Sequence, residues 1–205
     1  MGRDNALKKI RSAYYLERIY KRRKRIPIND ETLNIIQDVK QIIKDIDNRV
    51  SLSGLRVYKI DEKPSVILKA DTAGYYDSVT NAVYVIDNIY EGKYIYYCIC
   101  VHEILHFIHH QKGNLNGMFT TDFEEGINNL LTHWLIWKSG RFPNRTENGE
   151  EIESKYWCYI KEMKIAKKVI KRANLSMKDV FYNYCMHNLQ FFQKFVPQKY
   201  FKHYY

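Results

Sequence analysis

Tyr94-Ile95-Tyr96-Tyr97-Cys98-Ile99-Cys100-Val101-His102-Glu103-Ile104-Leu105-His106-Phe107-Ile108 is the stretch that organises this chain. Wound as a helix, it is apolar on every side, and a helix of that kind belongs inside a protein. Its middle nevertheless reads H-E-x-x-H. Residues four apart share one helix face, so His102 and His106 can reach the same metal ion with Glu103 beside them. Two imidazoles and a carboxylate in apolar surroundings are costly unless they are partnered. A bound dication supplies that partner. Two neutral nitrogen ligands and an adjacent base are what hydrolytic zinc chemistry requires. The stretch therefore predicts a buried helix over about 93–111 that carries a metal centre.

Upstream, the periodicity changes. Leu55-Arg56-Val57-Tyr58-Lys59-Ile60 alternates, and Ser65 to Ala70 is rich in β-formers. Gly74-Tyr75-Tyr76 and Ala82 to Ile86 flank the turn-forming Asp77-Ser78-Val79-Thr80-Asn81. These features predict a small antiparallel or mixed sheet of three or four strands that ends in a hairpin. Before it, Leu7, Ile10, Tyr14 and Ile19 mark an amphipathic helix over 5–25 that ends before Pro27. Asp30 caps a second helix over 31–47, with an apolar stripe at Leu33, Ile36, Val39, Ile43 and Ile46. Downstream, helices are expected at about 122–138, 152–173 and 176–195. Ser176 with Asp179 resembles a capping box at the start of the last one. Gln111 to Asp122 and Gly140 to Glu150 are linkers. A sheet followed by helices is an α+β arrangement. Three segments are expected, an N-terminal helical part (1–50), a core (51–138) and a C-terminal helical part (139–205), joined in one compact unit.

With 205 residues the chain is long enough for one sizeable domain. Its net charge of +10 and pI of about 9.3 permit an anionic partner. The basic runs are Lys21-Arg22-Arg23-Lys24-Arg25 and the lysines between Lys161 and Arg172. A solvated helix face explains both, so nucleic acid is permitted and not favoured. The longest apolar stretch is too short and interrupted to span a bilayer, so no transmembrane segment is expected. The N-terminus lacks the apolar core of a secretory signal, which makes the expected location cytoplasmic. Cys98, Cys100, Cys158 and Cys185 form no C-x-x-C pair and fit as buried reduced thiols.

A catalytic zinc needs a third protein ligand. The extended motif with a third histidine is absent, because His109 stands at its glycine position and Lys112 at its last position. The next stretch with ligand chemistry is Phe123-Glu124-Glu125-Gly126-Ile127-Asn128-Asn129. Glu125 falls at the spacing H-E-x-x-H-x18-E. Over roughly residues 70–135 the chain resembles the gluzincin metallopeptidases, in many of which the third ligand is the Glu of a Glu-Gly pair opening the second active-site helix. The resemblance implies a zincin-like fold and one catalytic Zn2+ held by His102, His106 and Glu125, with Glu103 as general base and acid. Glu124 is a rival ligand, and the Glu-Gly pair favours Glu125. Where many relatives carry an acid three residues after the glycine, this chain has Asn129. Its amide can still accept a hydrogen bond from the far nitrogen of His102.

The resemblance also implies an exposed edge at Ala82-Val83-Tyr84-Val85-Ile86 that an extended peptide could join by strand addition. It calls for an oxyanion donor from later in the chain. Tyr156, Tyr159, Tyr182, Tyr184 and His187 qualify, with Tyr156 favoured. His133 is expected to support the site or fill the core, and His109 and His110 to be partly exposed helix-end residues. The implied function is a zinc-dependent endopeptidase that attacks peptide or protein substrates with a zinc-activated water. A reading of a different class is a basic nucleic-acid-associated or regulatory protein whose metal site is structural or weakened.

Overall fold

The alternation between residues 55 and 86 forms a sheet in the computed structural model, which describes residues 25–28, 30–60, 74–78, 80–86, 93–111, 118–142 and 159–202. Its strands are β1 (Arg25–Ile26), β2 (Val57–Ile60), β3 (Gly74–Asp77) and β4 (Ala82–Ile86), in the order β1-β2-β4-β3. The β1–β2 and β3–β4 pairs are antiparallel and β2–β4 is parallel, so the sheet is mixed. β3 and β4 form the expected hairpin. Asn81 in its turn has a φ of 49°, a left-handed conformation that asparagine tolerates better than most residues. Alternate side chains face opposite sides of the strands. Val57, Val83 and Val85 join the main core, whereas Tyr84 lies on the other face. There its ring stacks on Tyr75 at 4.9 Å and sits 5.4 Å from Tyr58.

Six α-helices are described: α1 (Asp30–Ile46), α2 (Lys93–His110), α3 (Thr121–Lys138), α4 (Ile160–Arg172), α5 (Met177–Cys185) and α6 (Leu189–Gln193). α2 is the central rod. Every residue from Tyr96 to Leu105 is buried, as an all-round apolar helix requires. It lies against β3 and β4 on one side and against α1, α3 and α5 on others. One cluster of buried side chains runs from Ile35 in α1 to Phe201, so the three segments share a core. No described helix is long and apolar enough to cross a membrane.

α1 carries Asp30 and Glu31 in its first turn and Lys44 in its last, which suits the helix dipole. Its inward stripe differs from the expected one. Ile35, Ile36, Val39, Ile42 and Ile43 are buried with Thr32, whereas Leu33 is 45 % exposed. Thr32 is there because its hydroxyl hydrogen-bonds to that of Tyr96. The helix begins at Asp30 itself, one residue earlier than expected. Arg25, expected at the end of a helix, pairs with Ile60 in the sheet. The single helix expected over 176–195 is broken after Cys185. His187 has a φ of 52°, and the Asn188 side chain caps α6 by accepting from the Phe191 N–H. At the start of α5, Ser176 Oγ accepts the Asp179 N–H at 3.1 Å, as a capping residue should.

The edge-strand expectation is corrected. β4 lies between β2 and β3 and is paired on both sides, with Ala82, Val83, Tyr84 and Val85 at most 1 % exposed. Among the described residues, β3 holds that edge of the sheet. The parallel β2 partner is remote in sequence, so the local pattern of 82–86 carries no sign of it. The expected helix up to residue 24, the strand Ser65–Ala70, residues 152–158 with Tyr156 and Cys158, and most of both linkers lie outside the described residues.

Candidate metal centre

His102, Glu103 and His106 project from the middle of α2, and Glu124 and Glu125 from the first turn and a half of α3. The two helices bring three donor atoms together. His102 Nε2 lies 3.1 Å from Glu125 Oε2 and 3.1 Å from His106 Nε2, and His106 Nε2 lies 3.3 Å from the same Glu125 oxygen. Tetrahedral ligands at zinc–donor lengths near 2.0–2.2 Å stand about 3.3 Å apart, so the triangle fits one ion. The donor chemistry agrees. His102 Nδ1 lies 2.9 Å from Asn129 Oδ1, an acceptor, so Nδ1 carries the proton and Nε2 keeps its lone pair. That lone pair faces a carboxylate oxygen and a second imidazole nitrogen. A proton on His106 Nε2 can serve only one neighbour at a time, whereas a dication serves all three.

The electrostatics are those of a carboxylate and imidazole cluster in a dry place. Burial opposes charge on Glu125, but His106 and His102 outweigh it and hold its carboxyl far below the usual range. Burial likewise opposes the charged form of His106. Glu125, Glu103 and Glu124 together override this and raise its pKa to about 9. Glu103 behaves differently. Burial dominates and raises its pKa, while His102, His106 and the backbone N–H of Tyr76 pull the other way. The site is not sealed: the side chains of His102, His106 and Glu125 keep 9 %, 12 % and 17 % of their surface.

Two glycines allow the close packing. A Cβ on Gly126 would fall 2.3 Å from the carbonyl oxygen of Glu162, so α3 and α4 meet backbone to backbone just after Glu125. A Cβ on Gly74 would fall 2.8 Å from Ile99 Cγ2 and 3.1 Å from Glu103 Cγ, so β3 can lie this close to Glu103 only without a side chain there.

Glu124 stands apart from the triangle. Its Oε1 lies 3.1 Å from His110 Nε2 and 4.0 Å from His106 Nδ1, and its Oε2 is 3.9 Å from Lys202 Nζ. His109 is corrected: it is fully buried. Its Nδ1–H donates to the Tyr184 carbonyl at 3.0 Å and its ring stacks on Tyr184 at 4.1 Å. Burial lowers its pKa to about 3. His133 is buried beside the Tyr94 hydroxyl, 3.3 Å from its Nδ1, and burial lowers its pKa to about 4. Cys98, Cys100 and Cys185 are buried free thiols.

Of the later aromatic residues, Tyr182 lies under Arg49, and Tyr184 and His187 gather around His109. Tyr159 comes to the His102 side of the triangle. Its ring is parallel to that of His102, with centroids 6.1 Å apart. Tyr76 stacks on His110 at 5.5 Å on the β3 side. Neither ring contact follows from sequence spacing, because each joins separate elements. The chain matches no protein-family model, no curated protein and no solved structure.

Proposed function

We propose that this protein is a zinc-dependent endopeptidase of gluzincin type with a zincin-like core, working in the cytosol on peptide or protein substrates. The observation that carries the reading is the triangle of His102 Nε2, His106 Nε2 and Glu125 Oε2, with Glu103 buried beside it. A zinc ion held there supplies Lewis acidity, which polarises a carbonyl and makes water acidic enough to react near neutral pH. Glu103 takes the proton of the attacking water and delivers it to the leaving amine. Asn129 fixes the His102 ring and its tautomer, which keeps Nε2 free for the ion. Tyr159, whose ring lies parallel to that of His102, is a candidate for the oxyanion donor beside Tyr156.

The test compares wild type with Glu103→Gln by metal analysis and by cleavage of a peptide library. Both proteins should hold zinc through His102, His106 and Glu125, and only the wild type should cut. Cleavage by the variant at the wild-type rate, or a wild type without zinc, would sink the assignment. A second reading, a basic nucleic-acid-associated or regulatory protein, draws on the exposed Lys161, Lys164, Lys168, Lys171 and Arg172 of α4. DNA binding that weakens steeply with salt, together with no Glu103-dependent cleavage, would favour it.

A further inference from the structure

The metal triangle uses one edge of His106, and the other edge faces a second set of donors. α2 presents His102, His106 and His110 at four-residue intervals along one face, and α3 opposes them with the consecutive pair Glu124 and Glu125. The two carboxylates divide the row between them. His106 Nε2 is 3.3 Å from Glu125 Oε2, while His106 Nδ1 is 4.0 Å from Glu124 Oε1. Glu124 Oε1 is also 3.1 Å from His110 Nε2, and these three ligand atoms all lie within 4.8 Å of one another. Glu124 is buried, and the His110 side chain is only 13 % exposed. Two imidazole nitrogens and a carboxylate repeat the donor set of the first site.

We propose that the chain holds a second divalent cation, of the zinc or cobalt kind, between His110, Glu124 and Nδ1 of His106. The His106 ring then bridges two ions, and the proton on its Nδ1 leaves to solvent when the second one binds. This inference rests on the first site being a metal centre. The 3.1 Å separation of His110 and Glu124 suits two ligands of one tetrahedral ion, for which about 3.3 Å is expected. The wider spans to His106 require the side chains to close in. The second site therefore fills after the first and holds its ion more weakly. The salt-bridge partner Lys202, 3.9 Å from the other Glu124 oxygen, leaves Oε1 facing the two histidines.

The experiment is a titration of chelator-stripped, full-length protein with Zn2+ or Co2+. Bound metal per chain is measured after gel filtration, and the Co2+ absorption bands are followed in parallel. Two ions per chain, taken up in two steps, are expected. His110→Ala and Glu124→Gln leave His102, His106 and Glu125 in place, and each should keep the first step and lose the second. A wild type that stops at one ion overturns the second site and leaves the proposed function standing. Two ions retained in both variants also overturn it. A wild type that binds none overturns both proposals. A wild-type count of one decides against the second site even where a variant fails to fold, and His110→Gln then takes the place of the variant that fails.

Discussion

Asn129 holds His102 through a neutral amide where a carboxylate would hold it harder. The 2.9 Å contact to Nδ1 orients the ring but adds little electron density to it. Replacing Asn129 with Ala should weaken zinc binding by roughly 10–100-fold, since the ring loses its outer support. Asn129→Asp should tighten it. Competition with a chromophoric chelator measures both, and an unchanged affinity in Asn129→Ala would show that the contact does not matter. His102, Glu103 and His106 were legible from the sequence because one helix carries them at fixed spacing. Glu125 needed a second helix and a family resemblance. Tyr159 stood among five candidates for the oxyanion donor, but its contact with His102 and that of Tyr76 with His110 were not legible, because they depend on how separate elements pack.

At the level of elements, the contact between α3 and α4 is the most exacting. Gly126 has no room for a side chain, with the Glu162 carbonyl oxygen 2.3 Å from where a Cβ would sit. Backbone cannot step aside as a flexible side chain can. Gly126→Ala should therefore cost about 3 kcal/mol. In a chain of this size that lowers Tm by roughly 6–12 °C, readable by calorimetry. Glu125 should shift with the helix, so zinc affinity should fall in the same variant. The helices 93–110 and 121–138 were legible almost to the residue, because long apolar runs bounded by turn-forming linkers mark them. The break at His187 was hidden, because its neighbours carry no Gly or Pro to announce a left-handed residue. The Leu33 misreading has a similar origin. α1 has apolar residues on more than one face, and only tertiary packing chooses the buried one.

At the scale of the whole molecule, two buried histidines, His109 and His133, make stability depend on pH. His109 and His133 are neutral in the folded chain, with pKa values lowered to about 3 and about 4 by burial. Unfolded, each would take a proton near its ordinary value of about 6.5. Below that pH the unfolded chain binds more protons, so stability falls as pH drops, by about 1.4 kcal/mol per unit for each histidine. His109→Phe keeps a ring against Tyr184 and removes one of the two titrating groups. Urea unfolding at pH 7 and pH 5 should show its loss of stability to be about 2 kcal/mol smaller than that of the wild type. Equal losses would mean that His109 is charged inside the fold.

The antiparallel bridge between Phe119 and Phe201 has one more consequence. Thr120 N–H donates to Tyr200 C=O at 2.8 Å and Lys202 N–H to Met118 C=O at 3.2 Å, just before α3 begins. A ribosome that has finished Phe119 must still add 82 residues to reach Phe201. At 5–20 residues per second that takes roughly 4–16 s. Once Glu125 has been added, the nascent chain carries His102, His106 and both glutamates but not Lys202, which lies 3.9 Å from Glu124 in the folded chain. The emerging polypeptide thus carries the donor set before the residues that pair with the segment leading into α3 have been made.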